Sequence, residues 1–143
     1  MKTFRMAAAF LAVWVCLPAA AETVVAPDKV PTPAQKKAVE KVIEQALDTD
    51  MPSVEDFLVG TVELNDDGRP DLIIHMQGIE WCGSSGCAAF AILATTQGFS
   101  SKPIEFPNFG ERVTVRDAVH KGMHDLSFDD SRHVFVWTGK QYD

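Results

Sequence analysis

The chain has 143 residues, 46% of them hydrophobic, and its 20 acidic and 13 basic residues give a formal charge of −7 at pH 7. A chain of this length can build one hydrophobic core and is too short for several. The acidic balance argues against nucleic acid and against anionic membrane surfaces as partners, because both are bound through basic residues.

Residues 1–21 have the features of a cleavable secretory signal. Lys2 and Arg5 precede an apolar run of about a dozen residues, shorter than the roughly 20 that a membrane span needs. Ala19–Ala21 then supply a cleavage site before Glu22. Cys16 follows bulky residues, whereas a lipid-bearing cysteine follows small ones, so lipidation is not favoured. We predict export to the periplasm without a membrane span, and a charge of −9 after two basic and no acidic residues are removed.

An extended leader and an amphipathic helix are predicted next. Residues 22–31 contain two prolines and no periodic pattern, which is typical of an extended leader. Thr32 and Gln35 form a capping box, and Pro33 suits the first helical position. The apolar residues that follow have the spacing of one buried stripe: Ala38, Val39, Val42, Ile43, Ala46 and Leu47.

From Asp56 onward the apolar pattern has a period of two, which indicates strands. Residues 57–64 and 71–78 are predicted to form a hairpin around the turn "NDDG", and residues 87–96 are apolar on both faces, as in a central strand. Weaker strand patterns occupy 98–106, 112–119, 122–128 and 133–142. We therefore predict a single α+β domain over residues 32–143, with an N-terminal amphipathic helix packed on a meandering antiparallel β-sheet.

The segment "WCGSSGC" carries the thiols that remain after signal cleavage. An isolated pair of cysteines in an oxidising compartment favours a Cys82–Cys87 disulfide. Gly83 and Gly86 can adopt the positive φ values of a tight turn. The bridge would hold the two serines between them, Ser84 and Ser85, outward at the tip of a hairpin.

Several chemistries fit this loop poorly. Redox motifs usually place two residues between their cysteines, whereas four intervene here. Zinc would need further ligands, and a nucleophile elbow would need a glycine where Cys87 stands. A loop this short gains only roughly 2 kcal/mol from closure, so stability is a weak reason for the bridge. Two interpretations stay open, a structural turn and a rigid recognition tip that includes Trp81, a residue type enriched in binding hot spots.

The turn "ELNDDGRPD" resembles a calcium-binding loop. Oxygen-bearing side chains recur at Glu63, Asn65, Asp67 and Asp71 around Gly68, a spacing that suits a hard cation. An EF-hand is excluded because the twelfth position is apolar. A shorter calcium loop and a metal-free hairpin turn both remain open, since asparagine, aspartate and glycine favour such turns by themselves.

Histidine-based chemistry has weaker support. His120 and His124 are four residues apart, a spacing that suits a metal on a helix, but Gly122 and the strand pattern argue against helix here. A catalytic triple can be assembled on paper from Ser84, His75 and Asp71. No feature of the sequence assigns roles to these three residues, so no catalytic residue is predicted.

Three segments, "ELNDDGRPD", "WCGSSGC" and "WTGKQY", resemble motifs of small exported bacterial proteins that combine a "DLNGDGxPD" turn, a "(Y/W)CGxxGC" loop and a closing "WxGxxY" strand. The resemblance implies a similar fold and an exported location, and Glu63 departs from its initial aspartate. By architecture alone, the chain is also similar to periplasmic inhibitors of cell-wall hydrolases.

We therefore expect a periplasmic binding protein and not an enzyme. The expected function is that of an inhibitor or immunity-type protein whose partner surface is Trp81, Gly83, Ser84, Ser85 and Gly86. Its partner would be a basic cell-wall hydrolase, an amidase or a lysozyme, which the acidic charge would attract. The alternatives are a calcium-stabilised structural or sensory module and, third, a small secreted hydrolase.

Overall fold

A computed structural model describes residues 22–47 and 56–143. The predicted signal, residues 1–21, lies outside these residues. The described parts contain one helix, α1 (Pro33–Leu47), and ten strands: β1 (Thr23–Val25), β2 (Phe57–Val62), β3 (Asp71–Met76), β4 (Cys82–Gly83), β5 (Gly86–Ile92), β6 (Ala94–Thr95), β7 (Gly98–Phe99), β8 (Ile104–Phe109), β9 (Val113–His120) and β10 (Met123–Phe128). No helix in those parts combines the length and the apolar composition that crossing a membrane requires.

The helix begins at the predicted capping box. The backbone N–H of Thr32 donates to Oε1 of Gln35 at 2.8 Å, and the backbone N–H of Gln35 donates to Oγ1 of Thr32 at 3.3 Å. Val39, Val42 and Ile43 from the predicted stripe are buried, which confirms that part of the stripe. α1 therefore contributes one apolar face to the core.

A five-stranded antiparallel sheet forms the centre of the fold. Its strands lie in the order β2-β3-β5-β4, and β8 pairs with β5 along the other edge of that strand. The predicted hairpin is confirmed, with Phe57 opposite Met76 and Val62 opposite Asp71. Alternate side chains of this sheet pack against α1: Phe57, Val59, Leu72, Ile74, Met76 and Ile92.

The opposite face of the same sheet packs against a second sheet, in which the strands lie in the order β1-β9-β10. Ile73, Ala91 and Phe109 of the five-stranded sheet share one core with Val113 and Leu126 of the three-stranded sheet. A separate two-stranded sheet joins β6 to β7. The expected single meander is therefore divided among three sheets, and one strand precedes the helix.

The segment predicted as an extended leader joins the two larger sheets. β1 pairs with β9, and Lys29 then forms a bridge with Val59 through N–O distances of 3.1 and 2.9 Å. Gly60 lets the leader pass close to β2, because a Cβ atom at Gly60 would lie 2.7 Å from Cγ1 of Val25. The leader consequently covers part of the outer edge of β2.

The closing segment differs from the prediction. Residues 133–142 do not form a regular strand but make two isolated bridges, Leu126 with Phe135 and Trp137 with Tyr142. The Tyr142 hydroxyl donates to the carbonyl oxygen of His124 at 2.9 Å, so the end of the chain is held by side chains as well.

Candidate functional site

The predicted disulfide is confirmed and lies at the base of a short hairpin. Cys82 and Cys87 occupy directly opposite positions on β4 and β5, with their Cα atoms 3.9 Å apart. Ser84 and Ser85 form the turn between the two strands, and both are exposed. The bridge therefore closes the hairpin immediately beneath its exposed tip. We call residues 82–87 the disulfide hairpin.

One face of the disulfide hairpin rests on β8. Gly86 has a φ of +102°, and a Cβ atom at this position would lie 2.2 Å from the carbonyl carbon of Phe109. The positive φ predicted for Gly86 is confirmed. The one predicted for Gly83 is wrong: that residue is not among the glycines with positive φ, and a Cβ atom there would meet no other atom within 4 Å. Gly86 alone of the pair is therefore required by packing against β8.

The turn that leads into the hairpin carries an exposed apolar residue that the sequence prediction missed. Ile79 is 94% exposed and stands between Gly78, which has a φ of +95°, and Glu80. An apolar residue inside the turn-like run "QGIEW" was the available signal for it. Trp81 follows, half-buried, and packs against the core beneath α1. The segment leading into the hairpin thus combines one exposed aliphatic side chain with one anchored indole.

An apolar groove of about 240 Å³ lies beside the disulfide hairpin. α1 contributes Val42 and Ile43 to its wall, and Trp81 and Phe90 line it from the hairpin and β5. Glu105 of β8 also lines it. Phe90 and Glu105 are directly opposite each other on β5 and β8, so their side chains emerge on the same sheet face. The groove is therefore the part of this face that the helix leaves uncovered.

Asp71, a predicted calcium ligand, points into the core. It is 0% exposed, and its two carboxylate oxygens accept hydrogen bonds from the backbone N–H groups of Leu64 at 2.9 Å and Ala94 at 2.8 Å. Burial raises the pKa of Asp71, and these two hydrogen bonds offset part of that rise. The carboxylate thus ties the acidic turn to the segment after β5.

The other predicted ligands bond within the acidic turn itself. The backbone N–H of Asp67 donates to Oε1 of Glu63 at 3.1 Å, and Oδ1 of Asp67 accepts from the backbone N–H of Arg69 at 2.8 Å. Asn65 Nδ2 donates to Oδ2 of Asp67 at 3.4 Å, while its buried Oδ1 has no hydrogen-bond partner. Over residues 22–47 and 56–143, no three His, Cys, Asp or Glu side chains converge as a metal-binding group.

The two closely spaced histidines lie on the β9–β10 hairpin, as the strand pattern predicted, and not on one face of a helix. Nδ1 of His124 lies 2.6 Å from the carbonyl oxygen of Arg116, and its Nε2 lies 2.8 Å from Oδ1 of Asp66. Partial burial acts to lower the pKa of His124, but the two acceptors outweigh it and raise this pKa. His120 instead bonds through Nδ1 to the buried Asp125 at 2.7 Å. Each histidine therefore has its own carboxylate partner.

Ser84, His75 and Asp71, the candidate catalytic triple, do not form a hydrogen-bonded chain. His75 is buried on β3, where its Nε2 donates to the carbonyl oxygen of Phe109 at 3.0 Å and its Nδ1 accepts from Gln77 at 2.8 Å. Asp71 bonds to backbone groups, and Ser84 is exposed at the hairpin tip. Both nitrogens of His75 are thus committed to groups other than the serine.

Comparison of the chain with protein-family models, with curated proteins and with solved structures finds no match. Any functional assignment consequently depends on the surface features described above.

Proposed function

We propose that this is a periplasmic binding protein that inhibits a basic cell-wall hydrolase, an amidase or a lysozyme, by inserting the disulfide hairpin into its cleft. The observation that carries the proposal is the exposed turn of Ser84 and Ser85, closed by the Cys82–Cys87 bridge. Inhibitors gain affinity when the binding loop already has its bound shape, because less entropy is lost on association.

Two further features support a protein partner. Ile79, 94% exposed beside the hairpin, presents apolar surface that contributes to binding only when a partner covers it. The charge of −9 expected after signal removal would accelerate encounter with a basic enzyme. Trp81 lies between Ile79 and the hairpin in the chain and packs against the core, so this part of the surface has little conformational freedom to lose on binding.

The test is an inhibition assay with a basic lysozyme and a peptidoglycan amidase, each acting on a cell-wall suspension. We expect the wild-type protein to slow lysis by at least one of them, and the double variant S84R/S85R to lose this effect because bulky cations would clash with the cleft. S101R is the matched control, since Ser101 is also an exposed serine in a connecting segment. The proposal fails if the wild type inhibits neither enzyme, or if S84R/S85R inhibits as well as S101R.

A calcium-stabilised structural or sensory module is the second candidate. The observation that favours it is the buried Oδ1 of Asn65, which has no hydrogen-bond partner in a turn that also carries Glu63 and Asp67. A cation bound only to the folded protein must raise its melting temperature. We expect calcium to raise the midpoint of the wild type relative to chelator and to leave Asn65→Ala unchanged; equal midpoints for the wild type in both solutions would remove this candidate.

A further inference from the structure

We propose that the apolar groove beside the disulfide hairpin receives one large apolar side chain of an extended, basic segment of the partner, and that this segment pairs with β8. The inference rests on the proposed function for the identity of the partner as a protein. It concerns a surface distinct from the hairpin tip, between α1 and β8.

The size of the groove favours a side chain over a cofactor. Its volume is about 240 Å³, below the roughly 300–1,000 Å³ of most small-molecule sites. A cavity of about 150 Å³ already holds a benzene ring. The walls formed by Val42, Ile43, Trp81 and Phe90 are apolar, so a leucine-sized or phenylalanine-sized group matches the groove in both volume and polarity.

The charge of the groove specifies the rest of the occupant. Glu105 is the charged residue among those that line it, and its side chain is exposed. Glu80, also exposed, is the neighbour of Trp81 in the chain. Lys41 and Lys102, chain neighbours of lining residues, are exposed as well, so the attraction depends on Glu105, which lines the groove itself. A lysine or arginine next to the apolar side chain would therefore be attracted to Glu105.

The strand beside the groove is an edge strand within the described part of the chain. β8 pairs with β5 on one side, and no other described strand pairs with it. It contains Pro107, a residue that sheets tolerate at edges. An extended peptide can add to such an edge through backbone hydrogen bonds, except at Pro107, which has no N–H to donate. Side chains two residues apart on the added strand share a face, so the apolar residue and the cation should be separated by one residue.

The test uses a synthetic peptide, Thr-Val-Thr-Leu-Thr-Lys-Thr with blocked ends, titrated into the protein and followed by amide NMR shifts and calorimetry. We expect shifts confined to β8, the hairpin and the groove-lining residues of α1 and β5. Changing the peptide's leucine to alanine removes buried apolar surface, and changing its lysine to glutamate reverses the charge that meets Glu105, so each should weaken binding about tenfold or more. Binding that ignores both changes, or shifts elsewhere in the protein, would overturn the inference.

Two protein variants examine the same groove. Ala88→Leu should fill it and abolish peptide binding, and Glu105→Lys should weaken binding about tenfold. Glu111→Lys is the matched charge reversal, at an exposed residue outside the groove lining, and should change binding less than about twofold. Should Ala88→Leu fail to fold, Glu105→Lys decides the question, because its side chain is exposed. Equal effects of the two charge reversals would contradict the assignment.

Other occupants give different results. A dimer that is seen by sedimentation and dissociates in Glu105→Lys would show that the occupant is a second copy of this chain. Tight binding of an uncharged aromatic probe that excludes the peptide would show that the groove is a small-molecule site.

The two proposals also fail separately. If the wild type inhibits a hydrolase and Glu105→Lys inhibits equally well, the groove inference is wrong and the hairpin proposal stands. If neither hydrolase is inhibited but the peptide binds with the expected dependence on Glu105, the hairpin proposal is wrong and the groove still binds an extended basic segment.

Discussion

Replacing Gly86 by alanine should destabilise the protein strongly, whereas the same change at Gly83 should be nearly neutral. Gly86 has a φ of +102°, and an alanine Cβ there would lie 2.2 and 2.3 Å from the carbonyl carbon and oxygen of Phe109. These are backbone atoms of a paired strand, so they cannot rotate away as a flexible side chain would. Gly83 is not among the positive-φ glycines, and a Cβ atom at Gly83 would have no neighbour within 4 Å.

The expected magnitude follows from two contributions. A non-glycine residue in an unfavourable backbone region costs about 1–3 kcal/mol, and overpacking costs about 1–3 kcal/mol more. Gly86→Ala should therefore lower the free energy of unfolding by about 2–6 kcal/mol. A domain of this size loses roughly 4 °C of melting temperature per kcal/mol, so the midpoint should fall by about 8 °C or more. Gly83→Ala should stay within about 0.5 kcal/mol of the wild type.

Thermal and urea unfolding, followed by circular dichroism, measure both values. Thiol titration should accompany them, so that all three proteins are compared with the Cys82–Cys87 bridge formed. In the hydrolase assay, folded Gly86→Ala should inhibit less than the wild type because its hairpin is displaced from β8. Similar midpoints for the two variants would show that the hairpin does not rest on Phe109 and would refute the reasoning.

Three other changes test the buried and paired side chains. Asp71→Asn leaves one buried backbone N–H facing an amide N–H, so the urea midpoint should fall by an amount equivalent to about 1–3 kcal/mol, and an unchanged midpoint would contradict the pairing. The raised pKa of His124 means that its contribution is complete below the unfolded-chain pKa of about 6.5 and is lost as pH rises through the folded-state pKa. The melting temperature of the wild type should therefore fall across that window more than that of His124→Gln, and parallel curves would argue against the bond to Asp66. At Asp129, partial burial acts to raise the pKa, but three backbone N–H donors outweigh it and lower this pKa. Its contribution is present above the unfolded-chain pKa of about 3.9 and is lost as pH falls through the folded-state pKa, so Asp129→Asn should show a shallower acid-induced loss of stability.

The elements that sequence reasoning predicted well are those whose signals are local. The capping box of Thr32 and Gln35, the β2–β3 hairpin and the Cys82–Cys87 bridge all join residues close together in the chain. For such pairs, the identity and the spacing of the side chains decide the geometry without reference to the rest of the fold. The hairpin tip of Ser84 and Ser85 was predictable for the same reason.

The groove and the role of Asp71 were not predictable from local patterns. Asp71 shares the oxygen-rich spacing of the acidic turn, yet it bonds to Ala94, 23 residues further along the chain. The groove lies at an offset between α1, which contributes Val42 and Ile43, and the part of the sheet face that carries Phe90 and Glu105. Such an offset between a helix and a sheet leaves no periodic mark on either segment.

The sequence by itself determined the secondary-structure type of most segments and the covalent closure of the hairpin. Only the tertiary structure decided that β1 pairs with β9, that Lys29 joins the edge of β2 and that the strands divide among three sheets. The physical reason is that a period-two pattern indicates only which side chains are apolar. Strands pair through backbone hydrogen bonds, which every residue except proline can make, so the pattern does not specify the partner strand.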